Sequence, residues 1–403
     1  MKKLAVAQCL AVLLAQGAIA QDTTSTEADT AYVEYSDPPL RLPLGIGLRT
    51  PSYDRVNGLT IPWGPRLVLG EERLVMDAIV SYRSHIGEWD PVIEASLRPG
   101  YRNELKLFVG RGTFSNDGWI RSDLINSAAA LFVGSDARNY YRADKASLRF
   151  SRTFTSASFT LAPFLGGAIE KGWSTGSLDP QSSPWSVVGR THRLRMRRPN
   201  PAVLEGQINS ILGGIEVDYF RGELDAKLEA TVENALRSPF EECPFAPGGG
   251  LPCFLVRKSF TQGTIHGKVV FPTFGAQTFS FRTHAVLTGS DFVPPQRYAY
   301  LGGAGTLATV DLLALGGDRL FFAEGEYMVP IERIVLGMLG SPFIALRYAA
   351  GSAGVLELPP LIQNLGVGVG VSVLRVDYSI DPAGNRSPLS KRSAVSFGVS
   401  LPL

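Results

Sequence analysis

Beyond its first twenty residues the chain has no run of about 18 uniformly apolar residues, which excludes a later membrane-crossing helix. Its longest charge-free stretches, 334–346 and 358–374, are broken by glycine and proline. Histidine is scarce, at four in 403 residues, and cysteine scarcer, at three. No phosphate-cradling glycine motif, no metal-ligand cluster of convincing spacing and no Gly-x-Ser-x-Gly elbow occurs. Of the histidines, only His266 and His284 fall on clear strands, and strand histidines among charges are more often structural than bases. The expectation is therefore no enzyme and no cofactor. A formal charge of +2 argues against nucleic-acid binding as a bulk property.

What the chain does have is glycine (43 residues), 10% aromatics and many β-branched residues against only 19% charge, which fits a sheet protein. Residues 1–20 read as a signal peptide: Lys2 and Lys3, an apolar run from Leu4 to Leu14, then Ala18-Ile19-Ala20 before Gln21. Cys9 lies too early in that run for a lipoprotein cleavage site. Residues 21–40 are Thr-rich and acidic, and are expected to form a disordered periplasmic tail. After the leader only Cys243 and Cys253 remain, flanking a Pro/Gly-rich loop. In an oxidising envelope they are expected to bridge. A bacterial protein exported in this way, with period-two strands and no helical span, is a soluble periplasmic β protein or a transmembrane barrel.

Several segments alternate cleanly. Leu224, Ala226, Leu228, Ala230 and Val232 share one face, while Asp225, Lys227, Glu229 and Glu233 share the other. Ile265, Val269 and Phe271 oppose His266 and Lys268, and Phe279 and Phe281 oppose Arg282 and His284. In a membrane barrel the apolar face meets lipid and the charged face lines a wet lumen. From Val395 to Leu403 apolar residues occupy every second position, like the closing strand of an outer-membrane protein. Tight turns (near residues 70–73, 99–103, 155–157, 220–222 and 272–275) alternate with long connections (113–143, 171–205, 238–256 and 289–317). Long external loops and short periplasmic turns give that pattern. A first strand near Leu42–Thr50 orients the long loops outward. A flip of parity at Val373, read as a tight turn, brings the total to sixteen strands.

The stretch from Pro294 to Ile331 is the most telling. It carries Leu301-Gly302-Gly303, Gly305-Thr306-Leu307 and Gly316-Gly317-Asp318-Arg319, and closes on a strand with Glu324 and Glu326 facing inward. In order and spacing it resembles the C-terminal barrel of the BamA/TamA-type outer-membrane assembly proteins, the bacterial surface antigen family. Tyr53-Asp54-Arg55-Val56-Asn57-Gly58-Leu59 is similar to the opening of members without POTRA domains. The resemblance implies a closed all-β transmembrane antiparallel barrel over residues 41–403, with outer-membrane biogenesis or translocation as its function. A porin-like passive channel is the alternative, and a barrel-embedded hydrolase ranks third. It also implies a lumen loop formed by Gly302, Gly303, Gly305, Thr306 and Leu307, docked beside the wall carboxylates Glu324 and Glu326. In the family that loop carries an arginine, whereas here Leu307 is followed by Ala308-Thr309. The expected substitutes are Arg297 or Arg319, with backbone donors holding the loop inside and narrowing the pore.

Two further segments stand out. Arg190, Arg193, Arg195, Arg197 and Arg198 form a basic run that suits bidentate contacts to lipopolysaccharide phosphates, with a solvated external loop as the bland alternative. The loop 116–141, with Trp119 and an Ala128–Phe132 helix-like core, reads as a lid, a partner surface or packing over the barrel mouth. Expected partners are outer-membrane lipids and lipopolysaccharide, with envelope proteins as cargo or periplasmic partners.

Overall fold

The structure is a computed structural model, and it describes residues 39–175, 198–242, 254–289, 292–337, 340–372, 374–383 and 389–399. The leader, the acidic tail to residue 38, Cys243, Cys253 and Arg190 to Arg197 lie outside the described residues.

Among the described residues one antiparallel sheet carries sixteen successive strands, three of them broken once. They are β1 (Leu40–Arg41 and Ser52–Asp54), β2 (Gly58–Trp63 and Arg66–Leu69), β3 (Leu74–Arg83), β4 (Glu88–Gly100), β5 (Asn103–Phe114), β6 (Tyr141–Arg152 and Phe154–Thr155), β7 (Phe159–Trp173) and β8 (Gly206–Arg221). The second half comprises β9 (Leu224–Glu242), β10 (Phe254–Pro272), β11 (Thr278–Thr288), β12 (Arg319–Pro330), β13 (Pro342–Gly354), β14 (Ile362–Val371), β15 (Leu374–Ile380) and β16 (Ser393–Val399). Each pairs with its sequence neighbour, so the long connections share one rim with the short β1–β2 and β3–β4 turns, while tight turns and the β12–β13 connection lie at the other. No ladder joins β16 to β1 among the described residues. No described helix is long and apolar enough to cross a membrane.

Strand parity explains the wall. On β13–β15 the rows Ile344–Val369–Val376 and Leu346–Val367–Tyr378 run straight across three strands. All six side chains are at least 40% exposed. Leaving a large apolar side chain in water forfeits about 1.5–3 kcal/mol relative to burying it. A continuous band of them marks a face that meets hydrocarbon. The same strands turn Arg347, Asn364, Arg375 and Asp377 the other way, and all four are largely buried from solvent. This is a transmembrane all-β barrel with an apolar exterior and a polar interior.

Val373, where the flip of parity was expected, lies outside the described residues, but Val371 opposite Leu374 and Ser372 at φ +54° make the β14–β15 connection a hairpin turn. The first strand departs from expectation. Between residues 42 and 51 the chain makes a 3-10 turn over Pro43–Gly45, and only the Leu48–Trp63 bridge remains of a ladder. Pro43 and Pro51 have no N–H to donate, and Gly45 and Gly47 sit at φ +76° and +82°, outside strand geometry.

Candidate lumen plug

Glycine sets the shape of the loop between β11 and β12. After a short ribbon (Ala299–Leu301 paired with Leu315–Gly317) the chain folds back on itself at Gly302 and Gly303. Gly302 lies at φ +124°, and a Cβ there would stand 2.1 Å from the carbonyl oxygen of Asp311. Only glycine fits such an approach. The N–H of Gly303 donates to Leu307 and Val310, and the N–H of Gly302 donates to Oγ1 of Thr306 at 2.9 Å. The loop therefore satisfies much of its own backbone before meeting the wall.

Its apolar side chains then pack against the inside of the barrel. Leu301, Leu307 and Val310 are buried with Val286, Leu320, Phe322, Ala349 and Ala353 of β11, β12 and β13. Thr309 is held further round the wall by Asn364 of β14, through a 3.0 Å bond to its N–H and a 2.8 Å bond to its hydroxyl. The N–H of Lys391 donates to the Thr309 carbonyl at 2.7 Å. One loop thus touches inward faces along a curved run of strands from β11 to the entry of β16.

Glu324 faces the lumen from β12, between Arg282 of β11 and Arg347 of β13. Arg282 reaches it at 3.1 Å. The same two guanidiniums continue onto the loop, Arg282 donating to the carbonyl of Gly305 and Arg347 to that of Thr306 at 2.6 Å. This reverses the expected polarity. The loop offers backbone acceptors, not donors, and the cations come from the wall. Glu326 is met instead by Arg375 of β15 at 2.6 Å, and Arg375 also pairs with Asp377 at 2.6 Å. That reach across β13 and β14 needs a bare strand: a Cβ on Gly368 would stand 2.9 Å from the Arg375 Nε.

The two arginines expected to replace the missing loop cation do other things. Arg297 anchors the loop entrance to a distant part of the wall, bonding Glu170 of β7 at 2.8 Å, Glu233 of β9 at 3.0 Å and the hydroxyl of Tyr141 at 3.1 Å. Burial raises the cost of its charge, but the two carboxylates hold its pKa well above the ordinary arginine value. Arg319 makes no contact with either Glu324 or Glu326 among the ion pairs of the described residues.

The β5–β6 connection closes over this plug. Ser122 caps a short helix, Asp123–Ala128, that continues to Val133. Arg121 donates to the Ala304 carbonyl at 2.9 Å, and Asn116 to that of Gln296 at 2.6 Å. Gln296 in turn exchanges bonds of 3.1 and 2.9 Å with the N–H and carbonyl of Leu204. Trp119 enters the lumen and stacks on His284, with ring centres 4.1 Å apart. Asp117 is buried where these loops meet, beside a cavity of about 20 Å³. Burial pushes its carboxyl up to about 7, although the Asn139 N–H, Arg198 and Arg138 pull the other way.

The opening hairpin is tied into the same cluster. The Asp54 carboxylate accepts the N–H groups of Val56 and Asn57 at 2.8 and 2.7 Å, forming the turn into Gly58. Arg55 is fully buried and donates to the carbonyls of Arg138 and Arg198. Arg198, read from sequence as a phosphate contact, turns inward, donating to Asn139 at 2.6 Å and the Arg138 carbonyl at 2.9 Å. Burial and the nearby Arg55 lower its pKa to about 10. Sequence reasoning missed Arg282, Arg347, Arg375, Asn364 and Trp119 as parts of the plug. Only the inward parity of Arg282 and Arg375 was available as a signal.

No family model matches the chain, and no curated protein matches it. Among solved structures it is similar to CdiB from Escherichia coli (11% identity, TM-score 0.46), covering 86% of this chain and 60% of that one. It is also similar to the ferric enterobactin receptor PfeA of Pseudomonas aeruginosa (10% identity, TM-score 0.36), over 78% of this chain and 42% of that one. OmpT, an outer membrane protein of Vibrio cholerae, is similar at 9% identity and TM-score 0.34 over 82% of each chain. The chain therefore spans about 60% of the length of CdiB and less than half of the receptor. The barrel assignment rests on strand register and parity, independently of these likenesses.

Proposed function

We propose that this chain is a bacterial outer-membrane barrel of the surface-antigen type, held shut by its own loops and opened to translocate or assemble envelope cargo. One observation carries the reading. The glycine-rich loop is seated on the inner wall by the Glu324–Arg282–Arg347 triad and by Leu301, Leu307 and Val310. A passive pore gains nothing from burying so many groups across its lumen. A barrel that must stay sealed until engaged needs such a seat, and needs it to be separable, as one loop on a preformed wall is. Its partners in this reading are outer-membrane lipids, lipopolysaccharide and envelope proteins. Depleting the chain and surveying the outer-membrane proteome and lipids tests it: selective loss of particular barrels or lipids supports assembly or translocation. An unchanged envelope, with altered uptake of small solutes, supports the porin-like alternative.

A further inference from the structure

Beneath the plug, three buried ring nitrogens have no hydrogen-bond partner among the described residues: Nδ1 of His266, Nδ1 of His284 and Nε1 of Trp119. Buried polar atoms are nearly always satisfied, so two unpartnered imidazole nitrogens on one stretch of wall, beside an indole N–H that can only donate, point to a ligand held by the imidazoles. The two histidines stand directly opposite each other on β10 and β11, with ring centres 5.7 Å apart and planes at 60°. Glu229 of β9 is directly opposite His266 on the same inward face, and it makes no ion pair within 4 Å among the described residues.

We propose that His266 and His284, completed by Glu229, bind a divalent transition-metal ion on the lumen wall. With metal–nitrogen bonds of about 2.0–2.1 Å, two imidazoles sharing a tetrahedral ion place their ring centres about 5–5.5 Å apart. The observed 5.7 Å lies within a small side-chain rotation of that range. No group of three or more ligands stands preassembled among the described residues. The imidazole pair is the nucleus, and the carboxylate of Glu229 joins by rotating within its row.

The surroundings suit the assignment. The Trp119 indole lies flat on His284, with planes 14° apart. Metal ligation occurs in the ring plane, so this stack fixes the imidazole without covering its nitrogens. Imidazole with one carboxylate selects Zn²⁺, Ni²⁺ or Cu²⁺ over Mg²⁺ or Ca²⁺. The nearest inward cations are Lys268 and Arg282, and Arg282 is already neutralised by Glu324.

Zinc binding to the purified, folded barrel tests it, by equilibrium dialysis with metal determination. We expect one Zn²⁺ per chain, bound at least tenfold more weakly in His266→Ala and in His284→Ala, and partly weakened in Glu229→Gln. His85→Ala and His192→Ala should bind as the parent does, and excess Mg²⁺ should not compete. Because His284→Ala empties a buried position, Ni²⁺ quenching of tryptophan fluorescence provides a second readout on the parent fold. That quenching should largely disappear in Trp119→Phe. Absence of binding, or binding that survives His266→Ala, or quenching that survives Trp119→Phe, would overturn the site and leave the cluster as packing for the β5–β6 connection.

Discussion

Glu324→Gln isolates the clamp that seats the plug. In the parent, one carboxylate lies between two arginines, and the three side chains are 9–20% exposed. Glutamine keeps the shape but leaves Arg282 and Arg347 facing each other without a counter-charge. Removing one partner of a buried ionic group costs about 3–5 kcal/mol. That cost falls on the plugged state, because once the loop leaves, water enters the lumen and solvates both guanidiniums. At 1.4 kcal/mol per tenfold, the closed-to-open ratio should fall by roughly two to three and a half powers of ten. Planar-bilayer recording reads this as a rise in open probability, with heat-modifiable gel mobility confirming the fold. Glu326→Gln is the matched control. Its partner Arg375 keeps Asp377 at 2.6 Å, so its effect should be slight. If both variants fold and gate alike, the clamp does not hold the plug and the reasoning fails.

Other outcomes follow from the same structure. Leu228 faces outward and is 39% exposed, so Leu228→Arg should impair folding into bilayers by about 2–4 kcal/mol near the midplane. Glu229→Arg, on the lumen side, should be much milder by heat-modifiable mobility. Asp117 has a folded carboxyl raised to about 7 against an ordinary 3.8. The closed loops therefore hold more protons than released ones between those values, and closure should weaken as pH rises from about 4 to 7, then level off. Asp117→Asn should flatten open probability across that window while keeping the acceptor for the Asn139 N–H. Mass spectrometry of non-reduced peptides should show Cys243 joined to Cys253; two free thiols would end that expectation.

The wall was legible because a barrel writes its two solvents into alternate residues. The 224–232 segment showed both faces of β9, and the change of parity after Val371 marked the β14–β15 hairpin. The first strand was less legible, since Pro43, Gly45, Gly47 and Pro51 break the ladder without erasing the apolar pattern around them. The loop was readable as glycine-dependent, because positive φ at Gly302 and Gly303 leaves a composition signature. Its anchors were not. Arg282 and Arg347 lie 42 and 23 residues from Glu324 in the chain, and alternation says which face a side chain takes, not which neighbour it meets. The Trp119–His284 stack is hidden in the same way, because a loop residue carries no period that reports where it docks.

Deleting residues 304–310 and recording single channels asks whether the loop blocks the barrel's lumen. The deletion removes Leu307, Thr309 and Val310 from the wall together with the carbonyls held by Arg282 and Arg347. The parent should conduct little or not at all, and the folded deletion variant should show a clear rise in single-channel conductance. Unchanged conductance in a folded deletion variant would place the loop outside the conducting path and contradict the plugged barrel.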